Sequence, residues 1–101
     1  MKLLISTLLA VAATVPGPVL AGDVAAGKSL FAARGCIGCH GANGVPPVPT
    51  YPTLKGLEAG FVKENLTSFR SGKRIGTTMN AMTARLTDSD IDNLAAYIAT
   101  L

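Results

Sequence analysis

The chain has 101 residues, nine Lys and Arg against six Asp and Glu, a formal net charge of +3, and 49% hydrophobic residues. That length holds one domain, and so slight a basic excess, with no basic tract, argues against a nucleic-acid-binding class. Two cysteines and one histidine are the whole inventory of soft metal ligands apart from methionine.

Met1-Lys2 followed by LLISTLLAVAATV is a short basic start and an apolar run of secretory-signal length. Pro16-Gly17-Pro18 breaks it, and Val19-Leu20-Ala21 offers a cleavage site after Ala21. The run falls short of the about 20 apolar residues that a membrane span wants. The expectation is a signal peptide over 1–21, removed on export to the periplasm, and a single domain over 22–101. Export also takes the cysteines out of the reducing cytosol. The domain left behind has too few residues to build a generous core unaided.

Asp23 is placed to cap a helix that runs through Ala33, with Gly35 ending it. Val24, Gly27, Leu30 and Phe31 fall on one face of that helix. Next comes Cys36-Ile37-Gly38-Cys39-His40, which contains every Cys and His in the chain. C-x-x-C-H reads as a c-type haem attachment site. Two thiols three residues apart on one helical turn can each add to a vinyl group on one porphyrin edge. The adjacent imidazole then serves as proximal iron ligand. A structural zinc site wants four ligands, where three candidates exist. A thioredoxin-like C-x-x-C wants a βαβ context, and a Cys36–Cys39 disulfide would leave His40 unexplained.

Gly41 to Pro52 carries four prolines and several turn-formers, and is expected as an extended loop. Glu58 to Ser71 reads as a second helix with Phe61, Leu66 and Phe69 apolar and Gly72 closing it. Gly76 to Thr83 reads as a loop with two methionines. Thr87 to Leu101 opens with T-D-S-D, a capping-box variant with Asp in place of Glu. It continues with Ile91, Leu94, Ala95 and Ile98 on one face. No convincing strand appears anywhere.

The order of these elements carries a resemblance. A G-x-x-x-F helix (Gly27, Phe31) precedes CIGCH, then P-T-L-K-G (Pro52 to Gly56), FRSGKR (Phe69 to Arg74), a methionine loop, and LTDSDIDNLAAYI (Leu86 to Ile98). Across residues 23–101 this resembles the bacterial class I cytochromes c. It is most similar to one half of the dihaem members, and also to the haem subunit of flavocytochrome c sulfide dehydrogenases. The resemblance implies an all-α fold of three main helices wrapped around one covalent haem c, the first and last helices crossing. Gly27 and Phe31 would then meet Leu94 and Tyr97.

It also implies a ligand set. Cys36 and Cys39 would form the haem thioethers and His40 the proximal iron bond. The distal ligand would come seven residues before Leu86, at Met79; Met82 is the second candidate, and otherwise a flexible packing residue. Pro52 matches the proline whose carbonyl takes the other ring N–H of the ligating histidine. Arg70, Lys73 and Arg74 form a basic cluster, read as a solvated helix end, as partners of the haem propionates, or as a docking patch.

A covalently held haem with both axial positions filled has no vacant site for substrate. The reading is therefore a periplasmic monohaem electron carrier, not an enzyme in its own right. Its partners would be redox proteins: an oxidase, a reductase or a dehydrogenase, including a flavoprotein subunit. Contact with a membrane would come only through those partners. A haem subunit of a dehydrogenase complex is the alternative, followed by a gas-binding or peroxidase-like protein with an open distal site.

Overall fold

The computed structural model describes residues 22–101; the expected signal peptide over 1–21 lies outside the described residues. Five helices follow in order: α1 Val24–Ala33, α2 Cys36–His40, α3 Ala59–Ser71, α4 Met79–Thr83 and α5 Asp88–Ile98. Among the described residues there is no strand, and no helix is long and apolar enough to cross a membrane.

The helix ends form where their capping residues stand. Asp23 Oδ1 accepts from the amides of Ala25 at 2.8 Å and Ala26 at 3.2 Å, answering donors that the first turn leaves without partners. At α5 the Thr87 hydroxyl accepts from the Asp90 amide while Asp90 Oδ2 accepts from the Thr87 amide, both at 3.0 Å. Asp is thus long enough to close the capping box. α3 stops at Gly72, whose φ of +79° is a left-handed conformation open to glycine at no steric cost.

The core lies between α1, α3 and α5. It joins Phe31, Val62, Leu86, Ile91, Leu94, Ala95 and Ile98, with Leu30, Cys36, Leu54 and Leu66 packed against it. α1 and α5 cross at Gly27. A Cβ on Gly27 would run into the Asn93 carbonyl and come within 2.7 Å of Tyr97 Cβ, so the two backbones meet where no side chain fits. One turn along, Phe31 is 1% exposed, and its ring stands 5.5 Å from Tyr97 at 57°, a tilted aromatic pair. Asn93 also ties the crossing with its side chain, Oδ1 accepting from the Asp23 amide at 2.8 Å.

One expectation needs correction, and one burial went unread. Residues 79–83 are a helical turn, not loop: Thr83 is 1% exposed, and its hydroxyl donates back to the Met79 carbonyl at 2.8 Å. In α3 the residue turned into the core is Val62, whereas Phe61 is 55% exposed. The helix is rotated so that Val62 and Leu66, four apart, face α5.

Candidate haem site

α2 is a single turn with glycines at both ends. Gly35 precedes it at φ +77° and Gly41 follows at φ +83°, and a Cβ on Gly41 would strike the Val45 carbonyl. These two residues let the chain enter and leave a five-residue helix abruptly. Within it Cys36, Cys39 and His40 sit at i, i+3 and i+4, on one face. Both cysteines are free and half-buried, and burial pushes the Cys36 thiol above its ordinary range.

His40 is 9% exposed. Its Nδ1 lies 2.9 Å from the Pro52 carbonyl oxygen. A carbonyl can only accept, so Nδ1 carries the proton and Nε2 keeps its lone pair for a metal. Pro52 reaches His40 because the loop folds back on itself. The buried Gly44 carbonyl accepts from the amides of both Leu54 at 2.7 Å and Lys55 at 3.1 Å. That bifurcated contact, at a Gly44 of φ +75°, lays the P-T-L-K-G segment beside α2. The Cys-Cys-His donor set and the preset imidazole tautomer fit a covalent haem with histidine ligation.

Met79 is half-buried at the start of α4, and Met82 is 37% exposed on the same turn. The segment that carries them is organised by Asn80, a residue that sequence reasoning passed over. Asn80 Oδ1 accepts from the Gly76 amide at 2.9 Å, while its Nδ2 donates to the carbonyls of Phe69 at 2.9 Å and Arg74 at 2.8 Å. The only sequence signal was an amide side chain directly after the methionine candidate, and its partners lie up to eleven residues away.

The basic cluster divides. Arg70 donates to the Leu86 carbonyl at 3.0 Å and to Asp88, fastening α3 to the start of α5. Arg74 lies over the Phe69 ring, 4.6 Å from its centroid, and donates to Asn65 Oδ1. These two guanidinium groups are engaged within the protein, although Arg74, like Lys73, is exposed at the loop.

Comparison with known proteins bears on what this arrangement is for. The family model described as cytochrome c matches residues 24–101. The chain is 40% identical over 92 residues to cytochrome c-554(547) of Halothiobacillus neapolitanus, an alignment covering 80% of this chain and 99% of that one. Among solved structures, Acidithiobacillus ferrooxidans cytochrome c4 superposes with a TM-score of 0.71 at 29% identity, over 77% of this chain and 49% of that one. Reduced recombinant cytochrome c4 from Pseudomonas stutzeri gives 0.69 at 36% identity, over 84% and 50%. The chain spans about half the length of either cytochrome c4.

Proposed function

The chain belongs to the cytochrome c family, with the class I fold and one covalent haem c, and from that premise we propose that it is a periplasmic single-electron carrier whose haem is bound through Cys36 and Cys39 and ligated by His40 and Met79. Electron carriage by a haem c is the function of the family; the ligands, the compartment and the kind of partner are the added reading.

The observation that carries it is the His40 imidazole, fixed by the Pro52 carbonyl on the same turn as both thiols. Haem supplies the one-electron couple at iron, and the chain's residues decide how it is used. Cys36 and Cys39 would hold the haem covalently. The Pro52 carbonyl orients His40 and raises its basicity as a ligand. A Met79 thioether as second iron ligand would favour the ferrous state and raise the potential. His40 and Met79 sit on short segments tied by hydrogen bonds, which would limit movement of the ligands when the charge changes. Redox partners would exchange electrons at the porphyrin edge; the oxidase, reductase or dehydrogenase at either end is a matter of docking chemistry. Export with cleavage after Ala21 rests on the basic start and apolar run of residues 1–21.

One preparation tests these points together. Denatured protein purified from the periplasm should have the mass of residues 22–101 plus one haem, and the colour should stay with the polypeptide in acid–acetone. Native ferrous protein should bind carbon monoxide slowly and incompletely. Pigment that leaves with the solvent would remove the thioether assignment, and a mass retaining residues 1–21 in the membrane fraction would make the protein an anchored cytochrome. Fast, complete carbon monoxide binding would replace electron carriage with gas binding.

A further inference from the structure

We propose that Asn80 is the positioning residue of the distal iron ligand: its side-chain amide latches the segment before Met79 to the end of α3, and so keeps exogenous bases from displacing the thioether. The inference rests on Met79 being that ligand.

The geometry is that of a clip closed by one side chain. Asn80 fills its acceptor with the Gly76 amide and both donors with the Phe69 and Arg74 carbonyls. Phe69 belongs to the last turn of α3, and its carbonyl accepts from the Gly72 amide at 3.3 Å as well as from Asn80. The amide thus spans three chain positions: the end of a core-packed helix, the middle of the connecting loop, and the residue three before the ligand. The loop is packed as well as bonded. A Cβ at Gly76 would lie 2.8 Å from the Phe69 ring and 3.6 Å from Met79 Cβ, so the glycine backbone lies close to both the ring and the methionine stem. Arg74 also lies over that ring, 4.6 Å from its centroid. On the far side of Met79, the buried Thr83 hydroxyl holds the Met79 carbonyl at 2.8 Å. The methionine is therefore fixed from both directions, and the Asn80 side is the one that reaches across to another helix.

An external base such as imidazole can reach ferric iron only after the thioether leaves. Its apparent affinity is its intrinsic affinity multiplied by the fraction of molecules in which the clip is open. Breaking the Asn80 contacts raises that fraction without touching iron, haem or methionine. A role in stability alone would lower the melting temperature and leave the fraction unchanged.

The experiment measures imidazole binding to the ferric holoprotein, together with the methionine–iron charge-transfer absorption. Four variants are compared with wild type. Asn80→Ala removes all three contacts. Asn80→Asp, nearly isosteric, keeps the acceptor for Gly76 and loses both donors. Ile91→Val trims the core at α5, away from the loop, and reports what loss of stability alone does. Met79→Ala reports whether Met79 is the ligand. The expected result is at least about a tenfold gain in imidazole affinity for both Asn80 variants, a weakened charge-transfer absorption, and wild-type affinity for Ile91→Val. Wild-type affinity in both Asn80 variants, or an equal gain in Ile91→Val, would overturn the inference while the Met79 assignment stood. Charge-transfer absorption that survives Met79→Ala would remove the ligand assignment and the inference with it.

Discussion

The α1–α5 crossing and the two folded-back segments, 41–56 and 72–83, are built on different principles. The crossing is apolar burial around one absent side chain: Gly27 against the Asn93 carbonyl, Phe31 against Tyr97, and Ile91, Leu94, Ala95 and Ile98 beneath. The folded-back segments are held by polar groups reaching across sequence, the Gly44 carbonyl taking two amides and Asn80 joining three positions. The first sets how stable the domain is. The second brings the Pro52 carbonyl to His40 and ties down the segment that carries Met79. Stability and site geometry should then be separable by mutation, except at the porphyrin, which both regions share.

The largest expected effect removes that shared element. Changing both Cys36 and Cys39 to Ala should leave no covalent haem and an apoprotein without stable helical structure, since a core this small depends on the porphyrin; far-ultraviolet circular dichroism and the loss of colour after denaturation check it. Next comes Gly27→Val, which pushes three carbons against a backbone carbonyl and Tyr97. It should destabilise the holoprotein by about 3 kcal/mol or more, lowering Tm by roughly 12 °C or more. The methionine–iron absorption of the folded fraction should not change. Thr87→Ala opens the capping box of α5 and should cost about 1 kcal/mol, again without a change at iron. If either variant altered ligation at temperatures where it remains folded, the division between frame and site would fail. Met82→Ala should have the smallest effect, because a side chain 37% exposed leaves little cavity behind; melting and visible spectra should match wild type.

The same division explains what could be read before the structure. Helix ends were legible at Asp23, Thr87 and Gly72 because capping is local chemistry, complete within three residues. The buried face of α5 was legible because burial repeats with the helical period. The Gly27 and Phe31 contacts with α5, and the Pro52 carbonyl beside His40, came from the order of motifs, not from periodicity. Val62 was passed over because Phe61 beside it is also apolar, and packing against α5 decides which of the two is buried. α4 was missed since Thr77-Thr78 and Gly76 read as loop, and its turn depends on a buried hydroxyl at Thr83 bonding backward. Asn80, and the pairing of Arg70 with Asp88, depend on partners eleven and eighteen residues away, a distance over which no local pattern in one sequence speaks.

The central claim is that His40 from the motif turn and Met79 from the clip on α3 ligate one iron. Within residues 22–101 there are only two methionines, which makes a methyl resonance decisive. With 13C-methyl-methionine label in the diamagnetic ferrous holoprotein, one methyl should be shifted far upfield by the porphyrin ring current. That signal should vanish in Met79→Leu and persist in Met82→Leu. A shifted methyl that survives Met79→Leu, or its absence from wild type, would contradict ligation by His40 and Met79.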